Sequence, residues 1–260
     1  MSGSKLTVGR LAGFALEALG IIASILVAFA IENWDEDQKN IEKEEIYLIS
    51  LHSDLIKDQN QLTRRIKDYE KKLSTTVDLM YVLSAADFVD QKDVVDKIED
   101  RLAYIFPYVP SNNTYQALES SGDIKYIRNS KLKILLYELD KSFLTNQQKA
   151  DVFINYTNSP LWAGYLVDHV DYQANTTDLT PEQLKHDLYN RVKRYNKLLE
   201  SYYYDMQGAL LKIHEVQFAL EEELKANEIE VLNQIEELQI DDEKETQKEE
   251  EELEDLLDEL

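Results

Sequence analysis

The chain has 260 residues, a net charge of −23 and a hydrophobic content of 43%. This size allows one large or two small domains with a real core, and the acidic charge argues against nucleic acid as a partner. The absence of cysteine excludes disulfides, thiol nucleophiles and thiolate metal sites, and the seven glycines and four prolines favour long helices over turn-rich sheets.

The most apolar stretch covers residues 11–31, where Glu17 is the only ionisable side chain. At about 1.5 Å per residue, a helix of this length reaches roughly the 30 Å of a bilayer's hydrocarbon core. We therefore predict a transmembrane helix over residues 11–34, with Trp34 as its anchor at the membrane interface and residues 1–10 as a short cytoplasmic N-terminus.

Two other interpretations fit this stretch. Lys5, Arg10 and the Ala28-Phe29-Ala30 sequence resemble a secretory signal peptide, whose cleavage would leave an exported soluble helical domain. The charge of Glu17 and the helical sequence that follows favour a retained anchor. A buried helix of a soluble protein is the third interpretation, and it is disfavoured because the stretch is apolar on all sides.

Small residues form a stripe along this helix. Gly13, Gly20, Ser24 and Ala28 share one face, with Glu17 between the first two. This small-xxx-small pattern favours close packing of two spans, although alanine-rich spans also produce it by chance. Placing a carboxylate in hydrocarbon costs free energy, so such a side chain usually faces protein or water. Glu17 therefore either contacts another span in an assembly, lines an ion pathway, or reaches the lipid headgroups.

The distribution of basic residues gives a weak orientation signal. Lys5 and Arg10 precede the span, while Lys39 and Lys43 follow it. We expect the N-terminus in the cytoplasm of a bacterium and the bulk of the chain outside its inner membrane.

The span is followed by an amphipathic helix over residues 35–83. Its apolar residues recur every seven positions, at Ile41, Leu48, Leu55, Leu62 and Tyr69. This spacing is typical of a coiled-coil stalk or of the first helix in a bundle. We prefer the bundle, because later helices offer matching apolar faces.

Three further helices are predicted, a short one over residues 91–105 and two long ones over residues 131–156 and 181–238. The first ends before Pro107, and the last begins with Thr180 as N-cap and Pro181 in its first turn. Between them, Thr114 is expected to cap a short helix, with Gly122 at its exit. The fold class is thus all-α, with a helical bundle domain over residues 35–238.

Several motifs together resemble an uncharacterised family of bacterial single-span membrane proteins. One is Asn33-Trp34 after the span. A second lies in the following helix and contains Glu44, Glu45, Tyr47, Leu48, Leu51, Asp54 and Leu55. A third lies in the segment over residues 111–129 and contains Thr114, Tyr115, Leu118, Ser121, Gly122, Asp123, Tyr126, Ile127 and Asn129. The resemblance covers about residues 10 to 215. It implies an N-terminal anchor and an all-helical extramembrane domain, and it implies no activity.

The C-terminal end is strongly acidic, with 19 Asp or Glu against 3 Lys in residues 221–260. A weak coiled-coil seam leads into an acidic tail over residues 239–260, which we expect to be partly coiled coil or disordered. The tail is either an arm for a basic protein partner or for loosely held divalent cations, or it serves solubility alone.

No catalytic motif is found. The four histidines, His52, His169, His186 and His214, are scattered, and the sequence has no zinc-protease, nucleophile-elbow, phosphate-loop or dinucleotide pattern. We therefore expect no catalytic residue, metal ion or cofactor. The predicted function is that of a non-catalytic scaffold, adaptor or sensor anchored in the lipid bilayer, acting as a homo-oligomer or with other membrane proteins. The main alternative is a homo-oligomeric cation or proton pathway lined by Glu17.

Overall fold

The computed structural model describes residues 4–85 and 90–226, with side chains for residue 17 and for residues 19–84 and 90–225. This part of the chain is mostly helical, which confirms the all-α class. The predicted acidic tail over residues 239–260 lies outside the described residues. The helices are α1 (Ser4–Ala85), α2 (Gln91–Lys97), α3 (Asn113–Ser121), α4 (Ser130–Thr157), α5 (Tyr165–His169), α6 (Pro181–Gln183) and α7 (Tyr189–Ala226).

Short irregular elements join these helices. Strands β1 (Val170–Asp171) and β2 (Thr176–Thr177) pair antiparallel after α5, a feature that the sequence did not predict. Asn175 has a positive φ of 51° in the turn between them, a conformation that asparagine tolerates better than most residues. The π-helical turns are Ile98–Leu102, Pro160–Gly164 and Leu184–Leu188, and a 3-10 turn covers Asp123–Tyr126.

The chain divides into two compact units, Met1–Tyr47 and Leu48–Leu260. In the first unit the described residues belong to the N-terminal part of α1. The second unit is a bundle of three long helices, which are the C-terminal part of α1, α4 and α7.

Polar contacts set the direction of the three helices. Gln217 Nε2 donates to Gln59 Oε1 at 2.8 Å, and Thr76 Oγ1 donates to Asn196 Oδ1 at 2.5 Å. In these two pairs the residue number in α7 falls as the residue number in α1 rises, so α1 and α7 are antiparallel. The Lys212 to Glu138 and Lys149 to Asp205 ion pairs show in the same way that α4 and α7 are antiparallel.

The seven-residue repeat of α1 is buried within the bundle for most of its length. Leu48, Leu55, Leu62 and Tyr69 are all buried. The preference for a bundle seam over a coiled-coil stalk is therefore confirmed for these residues. α7 contributes a buried face at helical spacing, as its amphipathic sequence predicts; its members are Val192, Tyr195, Leu199, Tyr202, Met206, Ala209, Ile213, Val216 and Leu220.

Aromatic rings fill the centre of the core. Phe153 of α4 lies 4.9 Å from Tyr195 and Tyr69 lies 5.2 Å from Tyr202, both edge to face, while Trp162 lies 4.6 Å from Tyr195. Edge-to-face pairs place the positive ring edge against the negative ring face, which stabilises them beyond the area they bury.

Capping residues end and start the helices as the sequence indicates. Thr180 and Gln183 form a capping box at α6, and the Asn129 side chain accepts the N–H groups of Lys131 and Leu132 at α4. Gly122 has a φ of 77°, the left-handed conformation that glycine adopts most easily. The predictions for Thr180 and Gly122 are confirmed.

Two predicted details are wrong. α3 begins at Asn113, so Thr114 lies inside its first turn and is not the cap. The helix predicted over residues 91–105 ends with the π-helical turn at Leu102. The carbonyls of Arg101 and Tyr104 are bonded by the Lys72 side chain of α1, which takes the place of further helical hydrogen bonds.

The segment over residues 103–112, here called the connector, runs along α1 and α7 without regular backbone pairing. Buried tyrosines and a lysine bind the backbone at the connector and just before it. Lys72 Nζ donates to the carbonyls of Arg101 and Tyr104 at 2.7 and 2.9 Å. The hydroxyls of Tyr69 and Tyr195 donate to the carbonyls of Phe106 and Leu102, and the Tyr108 N–H donates to the hydroxyl of Tyr202.

We expect Lys72→Met to lower the free energy of unfolding by about 2 kcal/mol, because two carbonyls lose a charged donor. The measurement is chemical unfolding of the full chain. Lys71→Met is the matched control, since Lys71 lies next to Lys72 on α1 but is exposed. Equal stability of the two variants would contradict this role of Lys72.

Candidate functional site

The predicted assembly residues lie along the N-terminal part of α1. Glu17, Gly20, Ser24 and Ala28 are all exposed. The side chains of residues 1–16 and 18 are outside the described part, so for Gly13 only its place in the helix is known.

Two details concern this stripe. The Ser24 hydroxyl donates to the Gly20 carbonyl one turn earlier, at 2.8 Å. A Cβ built on Gly20 meets no atom within 4 Å. The hydroxyl of Ser24 therefore has a partner inside its own helix, and the Gly20 side of the helix is open.

Large apolar side chains around the stripe are exposed in all directions. At about 100° per residue, the apolar residues between Leu19 and Ile31 point to every side of the helix. Each of the large ones is about half exposed or more; they are Leu19, Ile21, Ile22, Ile25, Leu26, Val27, Phe29 and Ile31. Trp34, the predicted interface anchor, is 65% exposed.

Within the part of the chain whose side chains are described, no helix has an apolar stretch long enough to cross a membrane. The predicted span over residues 11–34 begins among residues 1–16, whose side chains lie outside that part.

A second candidate site lies in the bundle, where the two sequence motifs meet. Asp54 Oδ2 of α1 accepts the Thr114 N–H at 2.9 Å, and Asp58 Oδ1 accepts the Ser111 N–H at 2.5 Å. Asn112, the residue before α3, makes no capping bond with its own side chain. The carboxylate of Asp54 therefore satisfies the first turn of α3 from a neighbouring helix.

These contacts enclose a small cavity between α1, α4 and the start of α3, here called the acidic cleft. Its polar lining consists of Asp54, Asp58, Asn112, Tyr115 and Asp140. Its volume is about 20 Å³, which is room for roughly one water molecule. The apolar lining comes from α1 and α4, through Leu51, Leu55, Leu136, Leu139 and Phe143.

Asp58 is the most unusual residue of the cleft, because a fully buried carboxylate is rare. Burial raises its pKa to about 6, and the Ser111 N–H and the nearby Tyr108 hydroxyl act in the opposite direction. Asp58 Oδ2 and the Tyr108 hydroxyl nevertheless lack a hydrogen bond of good geometry.

The sequence did not point to this cleft. A signal was present, since Asp58 follows Leu51 by seven residues and Leu55 by three, so that it lies on the apolar face of α1. An acid at a core position indicates a partner or a function. The role of Asp140 depends on tertiary contacts, and its Oδ1 accepts from Asn112 Nδ2 at 3.1 Å.

The histidines do not assemble into a site within the described residues. His52 is buried, and its Nε2 lies 3.7 Å from Glu221 Oε1, too far for a hydrogen bond. Burial is the main cause that lowers its pKa. His169 contacts Asp178 at 2.8 Å beside the strand pair. No group of three or more His, Asp or Glu side chains in this part of the chain is arranged to hold a metal ion.

Comparison with known proteins identifies a matching family. A model described as a family of unknown function (DUF6090) matches residues 17–147, about half of the chain. No curated protein and no solved structure matches. The matched residues include every residue that lines the acidic cleft.

We expect Asp58→Asn to remove a pH dependence of stability. The raised pKa means that the folded chain holds a proton more tightly than the unfolded chain. This stabilising contribution is complete below the usual pKa of Asp and is lost as the pH rises through about 6. Between pH 4 and 7, the unfolding free energy of the variant should therefore rise by on the order of 2–3 kcal/mol relative to the wild type.

The measurement is chemical unfolding at several pH values. Asp78→Asn is the control, because Asp78 is an exposed carboxylate on the same helix. If the wild-type and Asp58→Asn curves run parallel from pH 4 to 7, Asp58 has an ordinary pKa.

Proposed function

We propose, from the premise that this chain belongs to the DUF6090 family of unknown function, that it is a non-catalytic scaffold, adaptor or sensor anchored in a membrane by its N-terminal helix. The observation that carries this proposal is the exposure of large apolar side chains on all sides of α1 between Leu19 and Ile31. A soluble helix normally hides such residues on at least one face. A lipid bilayer would cover all of them.

Other features support the anchor. The hydrogen bond from Ser24 to Gly20 satisfies a hydroxyl without water, as a membrane interior requires. The family match begins at Glu17, so most of the predicted span belongs to the family domain.

The location and orientation that we propose are the inner membrane of a bacterium, with a cytoplasmic N-terminus and an extracytoplasmic bundle. Lys5 and Arg10 before the span favour this orientation, and Lys39 and Lys43 after it oppose it. In this arrangement the bundle would present its surfaces to protein partners outside the cytoplasm.

Single-cysteine variants test the anchor and its orientation. They give no background labelling, because the chain has no cysteine of its own. We expect Leu26→Cys to resist a membrane-impermeant maleimide in intact membranes and to react after denaturation. Gln148→Cys, on an exposed position of α4, should react from outside intact spheroplasts.

Extraction of the wild-type membranes with alkaline carbonate provides the independent check. A chain that leaves the membrane, or a subunit mass that lacks about the first thirty residues, would contradict the anchor and favour an exported domain. Labelling of Gln148→Cys only after lysis would reverse the orientation.

The proposed assembly face contains Gly13, Glu17, Gly20, Ser24 and Ala28. We expect Gly20→Leu to reduce the homo-oligomer measured by native mass spectrometry in mild detergent, because a large side chain separates the helix backbones. Ile22→Leu is the control on the same helix, as it conserves side-chain volume. An unchanged subunit number in Gly20→Leu would remove this face from the assembly.

Glu17→Gln separates the scaffold from an ion pathway. A scaffold should keep its oligomeric mass and show no conductance in liposomes before or after the change. A wild-type cation or proton conductance that Glu17→Gln abolishes would instead establish the pathway.

A further inference from the structure

Helix α7 has a second apolar face, which the bundle leaves uncovered. Tyr204, Leu211 and Phe218 follow one another at a spacing of seven residues, and they are 60%, 70% and 64% exposed. At about 100° per residue, they point away from the buried face of α7 that includes Met206 and Ile213. A recurrence of seven residues is the spacing of a seam between two packed helices. α7 thus has one apolar face packed inside the bundle and another that is free for a partner.

A glycine lies in the middle of this free face. Gly208 is exposed and belongs to the interior of α7, between Tyr204 and Leu211. A Cβ built on it meets no atom within 4 Å, so nothing in the described part of the chain requires a glycine here. Glycine inside a helix lowers stability relative to alanine. Close approach of a partner's helix would explain the choice of this residue.

The free face continues onto the neighbouring helix α4. A groove between the two helices is lined by Glu138, Lys141, Ser142, Thr145, Tyr204, Asp205, Gly208 and Lys212. Ile134, Tyr137 and Leu144 of α4 are about half exposed. They lie seven, four and three residues from Lys141, so they share its side of α4. Both walls of the groove therefore carry exposed apolar side chains.

The charge of this face restricts the partner. The groove has two acids, Glu138 and Asp205, and two lysines, Lys141 and Lys212. Lys212 pairs with Glu138 at 3.4 Å, and Lys149 pairs with Asp205 at 3.7 Å. The groove is thus balanced in charge, on a chain whose net charge is −23. Two copies of so acidic a chain repel each other over most of their surface, and a balanced apolar face is where they can meet.

We propose that two copies of this chain pack against each other through a face that consists of Tyr204, Gly208, Leu211 and Phe218 with the adjoining side of α4. In a two-fold pair the same patch serves both copies, and the α7 backbones approach each other at Gly208. Two helices about 10 Å apart, free over roughly 30 Å, offer on the order of 600 Å² per copy, which is the lower end for a specific dimer. This inference goes beyond the proposed function, because the face lies in the bundle and uses no residue of the membrane segment.

Cross-linking of the full chain in its membranes tests the partner. Leu211 is the middle residue of the three, so in a two-fold pair it lies close to its counterpart whether the α7 helices run parallel or antiparallel. We expect Leu211→Cys to form a disulfide-linked dimer when oxidised with copper phenanthroline. Val167→Cys is the control, since Val167 is 74% exposed on α5 and lies outside the face. Equal dimer in the two variants, no dimer for Leu211→Cys, or its cross-link to a different protein would overturn the proposal.

The Gly20→Leu background separates this face from the assembly proposed for the membrane segment. We expect the Leu211→Cys dimer to persist when Gly20→Leu is added, because the face in the bundle has its own affinity. Loss of the cross-link in this background would refute an independent interface. A persistent cross-link combined with an unchanged subunit number for Gly20→Leu alone would contradict only the assembly face of α1.

Variants of the face measure its contribution. In the Gly20→Leu background and mild detergent, sedimentation should show that Leu211→Glu raises the dimer dissociation constant at least tenfold, whereas Val167→Glu should change it less than twofold. Gly208→Leu should raise the constant several-fold without lowering the melting temperature, because its side chain enters open space within the single copy. Similar effects of Leu211→Glu and Val167→Glu, or no effect of either variant in the face, would refute the interface.

Discussion

The bundle depends on satisfying the backbone of a segment that has no regular partner. A connector without helix or strand pairing leaves its N–H and C=O groups to other partners, and each group that is buried without a partner costs free energy. Here the donors and acceptors come from α1 and α7, through Lys72, three tyrosines and the carboxylate of Asp58. The same carboxylates that hold the connector also line the acidic cleft, so that site and fold share their residues.

The sequence predicted those parts of the architecture that depend on residues close together in the chain. Thr180, Asn129 and Gly122 act at helix ends through bonds to near neighbours, and the seven-residue repeat of α1 marks its buried face. The cleft was not predicted, because Asp58 and Asp140 are far apart in sequence and meet only after the helices pack. The end of the helix predicted over residues 91–105 was misplaced for a similar reason, since Lys72 of another helix binds the carbonyls of Arg101 and Tyr104 where this helix stops.

The two candidate sites differ in kind. The apolar surface of α1 belongs to the first unit and carries the proposed anchor, whereas the acidic cleft belongs to the second unit and is lined by buried and half-buried carboxylates. Both fall largely or wholly within the residues matched by the family, and α7 lies beyond them. An anchored sensor would combine a site of each kind in one chain.

The use of tyrosine in the core has a consequence at alkaline pH. Burial is the first cause that raises the phenol pKa values of Tyr69, Tyr195 and Tyr202. Because the unfolded chain releases these protons more easily, the tyrosines stabilise the fold below about pH 10, and this contribution is lost as the pH rises further. The core is thus vulnerable to strong base, and its opening would add the phenolate absorbance of the buried tyrosines to that of the exposed ones.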